Sequence, residues 1–204
     1  MECRIMYDFD AGDLSLNFAN TEDWHASKEP LENLKSYTDL VDWGVKAGLV
    51  SSDLADRLRQ FAIDMPDEAS QSYQQAIHFR ETLYRIFVHH AAGLPIPEAD
   101  LVLLNDMACQ AMGRLKLTFD GKAFQWKFPA DFQGVNLILW PIARAATDLL
   151  TSNQAAHIRK CEDDRGCGYL FIDQTKNHSR RWCSMESCGN RAKARRHYSR
   201  LQTN

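Results

Sequence analysis

Nowhere in its 204 residues does the chain carry an uncharged apolar stretch long enough to cross a bilayer. The opening Met1-Glu2-Cys3-Arg4-Ile5 starts no apolar run of signal-peptide length either. These absences predict a cytoplasmic protein with no membrane partner, a compartment where thiols stay reduced and clustered cysteines usually hold metal. Internal repeats, low-complexity tracts and long linkers are also missing. So are catalytic signatures: there is no Gly-rich phosphate loop, no HExxH and no nucleophile elbow. The pair His89-His90 is a poor metal site, because neighbours on a helix point about 100° apart. An enzyme is not expected.

What is there fits a globular chain, with 45% hydrophobic and 25% charged residues, long enough for one ordinary domain and a small appended one. The net charge of −3 conceals a division. Residues 157–204 hold 11 Lys+Arg against 5 Asp+Glu, or +6, and the preceding residues hold 13 against 22, or −9. A basic tail on an acidic body points to one end meeting a polyanion.

The body reads mainly as helix. Thr38 is placed to cap a helix through Lys46 that Gly48 ends, and Ser52 to cap one reaching Ile63. Pro66-Asp67 opens a long helix to His90, stopped by Gly93 and Pro95, and another runs from Pro97 to Met112. Leu115, Leu117 and Phe119 then alternate with polar residues, Asp120-Gly121 marks a turn, and Phe124, Trp126 and Phe128 resume the alternation. That is a β-hairpin. From Val135 to Thr151 the pattern is again helical, with Pro141 either kinking the helix or opening its first turn. Leu14–Asn20 suits strand or helix. The expected class is mainly α with a β-hairpin: a helical domain over residues 1–153, then a small treble-clef-like zinc finger over 154–204.

The finger rests on the spacing Cys161-x5-Cys167-x15-Cys183-x4-Cys188. Structural zinc takes four tetrahedral ligands in two close pairs, each pair forming a turn that points both sulfurs at one ion. Gly168 follows the second cysteine, Tyr169–Asp173 reads as a strand, Lys176-Asn177-His178 as a turn, and a helix begins after Cys188. Two disulfides are the alternative that the reduced compartment disfavours. His178 or His197 replacing one cysteine is another. Cys3 and Cys109 are isolated thiols.

From Asn190 to Gln202 the last helix sorts into faces. Ala194, His197, Tyr198 and Leu201 form an apolar stripe expected to pack on the finger or the body. Arg191, Lys193, Arg195, Arg196 and Arg200 lie on the other side, and the preceding turns add Lys176, Arg180 and Arg181. Arginine forks suit phosphate oxygens and guanine edges, so the expected partner is nucleic acid; these residues do not separate DNA from RNA, and DNA is the expectation carried forward. Trp182 and Tyr198 are available for stacking, though Trp182 beside a ligand cysteine suits the core. Gly189 can take a positive φ or permit a close approach. Asn190 is a favourable N-cap. Arg191, on the first turn, would offset the formal −2 charge of a zinc ion held by four thiolates.

One charge interrupts the body's apolar pattern. Arg80 lies within the stripe Tyr73, Ala76, Ile77, Leu83, Tyr84 and Phe87. A buried guanidinium must be paired, because stranding such a charge costs on the order of 3–5 kcal/mol. Either an internal carboxylate or backbone carbonyls pair it, or it anchors a small anionic ligand helped by Asn17, Asn20 and Thr21.

The tail resembles the CGNR zinc-finger family. The resemblance rests on Cys188-Gly189-Asn190-Arg191, the preceding Arg180-Arg181-Trp182-Cys183-Ser184-Met185, the following Lys193, Arg195 and Arg196, and Cys167-Gly168-Tyr169-Leu170-Phe171 with Asp173. It implies zinc ligation by Cys161, Cys167, Cys183 and Cys188. The body resembles the ABATE domain that commonly precedes this finger, through Leu14–Thr21, the helix Thr38–Leu49, and Trp140-Pro141-Ile142-Ala143-Arg144-Ala145-Ala146 leading to Asp148-Leu149-Leu150. The architecture implies a stress-induced bacterial transcription regulator whose front domain senses a ligand. The rival expectation is a protein-interaction module whose basic finger docks on an acidic protein, or on the acidic body of another copy in a homodimer.

Overall fold

The computed structural model describes residues 7–128 and 137–202, and only the backbone of 197 and 200–202. In chain order the elements are α1 (Leu14–Ala19), β1 (Glu22–Asp23), β2 (Leu31–Glu32), α2 (Tyr37–Lys46), α3 (Ser52–Asp64), α4 (Pro66–Ala91) and α5 (Glu98–Arg114). The hairpin β3 (Lys116–Phe119) and β4 (Phe124–Lys127) follows, then α6 (Leu139–Leu150), β5 (Ile158–Lys160), β6 (Leu170–Ile172) and α7 (Asn190–Gln202). Each strand pair is a separate antiparallel ribbon. The molecule is mainly helical, as its patterning predicts. No described helix is long and apolar enough to cross a membrane.

Helix boundaries follow side chains that reach the first free N–H groups. Ser36, not Thr38, caps α2 by accepting from the Asp39 amide, and Ser51, not Ser52, caps α3 by accepting from Leu54. A capping side chain must sit just outside the helix to reach an N–H about three residues on, which puts both caps earlier than the sequence suggests. Pro66 stands in the first turn of α4 and Pro141 in that of α6, where proline costs no hydrogen bond. The start expected near Val135 lies outside the described residues. Leu14–Asn20 resolves as the short helix α1, capped by Asp13.

The 26-residue helix α4 is the spine of the body. It buries Ala76, Phe79, Leu83, Ile86 and Phe87 against α1, α2, α3 and α5, and Trp43 lies fully buried beside Phe18. In the hairpin, Leu117 faces Trp126 and Phe119 faces Phe124, so one face carries all four apolar side chains, each more than half exposed.

The strand β6 joins the body to the tail. Alternation sends Leu170 and Ile172 into the core of the body and Phe171 into a second cluster with Cys161 and Cys188. One edge of β6 pairs with β5, while the Ile172 amide donates to the Ala11 carbonyl. Asn20 completes that outer edge. Its Nδ2 donates to the Leu170 carbonyl at 2.8 Å and its Oδ1 accepts from the Leu170 amide at 2.8 Å. A single amide thus does the work of a neighbouring strand.

Candidate metal centre and nucleic-acid face

Two turns bring the cysteines together. The first carries Cys167 between Gly166 at φ +89° and Gly168 at φ +69°. A Cβ on Gly166 would stand 2.6 Å from the Ala26 carbonyl oxygen, and one on Gly168 2.6 Å from the Tyr84 hydroxyl. Glycine is required at both positions by backbone conformation and by the close approach of the body. The second turn is a wide helical turn over Met185–Gly189, capped by Ser184, that carries Cys188 and runs directly into α7. Asn190 therefore continues an existing helix rather than capping a new one, and its side chain donates to the Glu186 carbonyl. Gly189 permits close approach: a Cβ there would meet the Met185 sulfur at 2.7 Å.

The Sγ atoms of Cys161, Cys167, Cys183 and Cys188 lie within 4.8 Å of one another, and none forms a disulfide. Cys183 is 3.7 Å from Cys167 and 3.6 Å from Cys188. Zinc–sulfur bonds of about 2.3 Å in a tetrahedron put the sulfurs about 3.8 Å apart, so this donor set fits zinc. The sulfurs crowd one another: hydrogen bonds from Cys167 and Cys183 lower the Cys161 thiol, while donation to Cys161 raises Cys167 and Cys183. A divalent ion removes that conflict by stabilising thiolates together.

The surroundings of the sulfurs are as specific as the sulfurs themselves. Arg191 donates to the Cys188 Sγ at 2.8 Å and through two nitrogens to Asp163 at 3.0 and 3.1 Å. The Asp163 side chain is fully buried, and Arg195 reaches its other oxygen at 3.3 Å. Burial alone would raise the Asp163 carboxyl, but hydrogen bonds from the Arg165 amide and Arg191 hold it well below the ordinary carboxylate range. Five residues separate the first two cysteines because that loop must carry Asp163, whose carbonyl and carboxylate close the turn onto Gly166 and Arg165. From the body, Trp24 at φ 56° brings its ring against both Arg165 and Arg191, 5.0 and 5.3 Å from their guanidinium carbons. Tyr84 donates to the Gly168 carbonyl at 2.9 Å.

Residues 12–153 match a family model, ABATE, described as "Putative stress-induced transcription regulator". Residues 157–201 match the CGNR zinc finger. The chain belongs to the ABATE family and carries a CGNR zinc finger. No curated protein matches it. The fold class and the zinc cofactor expected from the sequence stand, and both families are regulatory or zinc-finger types rather than enzymatic ones.

The basic residues divide into two groups. Arg180 is folded inward: it donates to the Trp182 and Cys183 carbonyls and lies 4.4 Å over the Phe171 ring. Arg181 pairs with Glu162 at 2.5 Å, and Arg195 pairs with Asp163 and Asp164. Lys176, Lys193 and Arg196 are exposed, with Arg196 5.6 Å over the Trp182 ring. The side chain of Arg200 is outside the described residues.

One expectation needs correction, and two alternatives left open by the sequence fall away. Of the stripe on α7, the described members Ala194 and Tyr198 are exposed, Tyr198 by 66%, because the helix is held through Arg191 and Arg195 on another face. The side chains of His197 and Leu201 lie outside the described residues. His178 is not near the sulfurs. Its ring stacks on His157 at 3.6 Å and its Nδ1 meets the Asp173 carbonyl. The pocket expected around Arg80 is filled from within. Arg80 donates to both Glu32 oxygens at 2.6 and 2.7 Å and to Glu81 at 2.9 Å, as the internal-carboxylate reading requires. Asn17 accepts from the Ala11 amide, Asn20 is used by Leu170, and Thr21 donates to the Phe18 carbonyl. The charge that would hold an anion, the Arg80 guanidinium, is already neutralised by these carboxylates.

Trp24, Asp163 and Gly166 were not legible as site residues. Asp163 alone left a signal, two adjacent acids inside an overlong gap between cysteines.

Proposed function

We propose that the chain is a transcription regulator in which zinc, held by Cys161, Cys167, Cys183 and Cys188, fixes α7 as a nucleic-acid-binding helix. The observation that carries this reading is the tether through Asp163, which ties Arg191 and Arg195 to the cysteine cluster. A helix held in this way meets its partner already ordered, which lowers the cost of binding. Lys193 and Arg196 stand three residues apart, neighbours on the helix surface, and Arg200 lies one turn further on. These three, with Lys176, are the proposed phosphate contacts. Arg180, Arg181, Arg191 and Arg195 serve mainly to build the surface. Glu162 and Asp164 line the groove beside Trp182 and Arg195 that Arg196 borders as well, so phosphates approach over the rim formed by Arg196 and Lys193.

The test is binding of zinc-quantified protein to random duplex DNA, single-stranded DNA and RNA across a salt series. Duplex affinity should fall with salt and disappear on chelation. Lys193→Ala and Arg196→Ala should each weaken it and lower the slope of log affinity against log salt by about 0.9 per lost phosphate contact. A protein carrying one zinc per chain that binds none of the three polymers refutes the reading. The second reading, an acidic protein partner for the finger, is favoured by the exposure of Ala194 and Tyr198, and competition with bulk DNA separates the two.

A further inference from the structure

A second group of metal-ligating side chains lies in the body, apart from the cysteines. Glu22 on β1, His25 just beyond it and Glu81 on α4 bring one donor atom each within 4.8 Å of the others. The His25 Nε2 is 3.2 Å from Glu22 Oε2 and 3.0 Å from Glu81 Oε2. Neither contact meets the geometry of a well-formed hydrogen bond, so this buried nitrogen is shared between two carboxylates without being satisfied by either. It lies within 3.2 Å of an oxygen from each of the two carboxylates. Ligands that share an ion are disposed in this way, whereas an imidazole hydrogen bond points at one acceptor.

The other oxygens of the same carboxylates face the buried guanidinium. Arg80 is 3.6 Å from Glu22 Oε1 and 2.9 Å from Glu81 Oε1. Each carboxylate therefore has one oxygen oriented by Arg80 and the other turned towards the His25 nitrogen, the division of labour by which outer residues orient metal ligands. The charges agree. Glu22, Glu32 and Glu81 bring three negative charges to a cluster in which Arg80 supplies one positive, leaving two for a divalent ion to neutralise. Trp24, the residue before His25, takes φ 56°, a backbone position uncommon for such a side chain. The His25 ring is fixed from behind by stacking on Tyr84 at 3.4 Å.

We propose that Glu22, His25 and Glu81 form a second metal site that takes one divalent first-row transition ion. One imidazole nitrogen and two carboxylate oxygens, with no thiolate, suit manganese, iron or zinc and leave coordination positions open for water or a further ligand. The site does not depend on nucleic-acid contact by α7. It lies close to the finger, because Tyr84 under the His25 ring donates to the carbonyl of Gly168, next to Cys167.

The experiment uses full-length protein already carrying the finger's zinc. Manganese is the first probe, since four thiolates are a poor site for it. Free Mn2+ is followed by electron paramagnetic resonance during titration, and total metal is measured after dialysis against Zn2+. The expected result is one Mn2+ per chain, or a second equivalent of Zn2+. His25→Ala should lose that equivalent while keeping one zinc per chain and the parent's circular dichroism. If His25→Ala does not fold, Glu22→Gln is titrated in its place, with the same loss expected. No uptake of either ion at millimolar concentration overturns the proposal, because His25 then serves only as a bridge between carboxylates. Equal uptake by the folded variant and the parent overturns the location.

Discussion

Replacing Asn20 by alanine tests whether the tail is built onto the body through a borrowed sheet edge. Both amide groups of Asn20 are used on one residue, each at 2.8 Å, and Asn20 is buried. The substitution strands the Leu170 N–H and C=O on the side of β6 that has no strand. A buried polar group left unpaired costs about 1–3 kcal/mol, so the pair costs about 2–6 kcal/mol, with the low end reached if water enters the space vacated by the amide. Urea unfolding of zinc-loaded protein, followed by circular dichroism, should show a lower midpoint at unchanged slope. Amide exchange at Leu170 should accelerate by about 30-fold or more at the 2 kcal/mol end, since each 1.4 kcal/mol is a factor of ten. Asn20→Asp should not rescue, because its second oxygen faces the Leu170 carbonyl. A stability within roughly 0.5 kcal/mol of the parent, the range of an ordinary surface substitution, would show that Asn20 is not the partner that closes this edge.

The remaining predictions concern the finger. Cys183→Ser should release zinc and unfold the tail while leaving most of the helical signal, and metal analysis showing one zinc retained per chain would refute the ligand assignment. Asp163→Ala should weaken zinc retention against a chelator by about 10- to 100-fold, the usual effect of removing an outer residue that orients a ligand shell; unchanged retention would show that Asp163 takes no part in orienting the ligands. Burial alone would raise the Asp173 carboxyl, but hydrogen bonds from the Thr175 hydroxyl and amide and the Arg180 amide hold it below its ordinary value. Its contribution to stability is therefore complete above about pH 4, the unfolded value, and is lost as pH falls below that. Asp173→Asn should flatten the acid limb of stability against pH, and a variant whose acid limb overlays the parent's would sink that assignment.

Helices and cysteines were legible because each rests on local pattern. The stripe of α4 and the turns at Gly93 and Gly121 lie within one stretch of chain, and the cysteine spacing states its own chemistry. The residues that hold the finger to the body could not be read this way. Asn20 and Leu170 are 150 residues apart, and nothing near Asn20 distinguishes a strand substitute from a ligand contact. Arg80 was legible as a buried charge needing a partner, but Glu32, its bidentate partner, is 48 residues away. The described half of the stripe on α7, Ala194 and Tyr198, misled for a related reason. Periodicity identifies an apolar face, but burial needs a surface to receive it, and the ion pairs to Asp163 turn a different face inward.

The strand β6 has a consequence for how the body could influence α7. Leu170 and Ile172 are set in one core and Phe171 in the other, with Asn20 and Ala11 fastening the outer edge. Such a strand cannot act as a hinge, because any rotation of the finger would pull side chains out of two cores at once. Any influence of the body on α7 therefore cannot swing the helix as a lever swings. It has to pass as a change in tension at the touching points, where Trp24 meets Arg191 and Tyr84 meets Gly168, so that the finger is held firmly or loosely without changing its address.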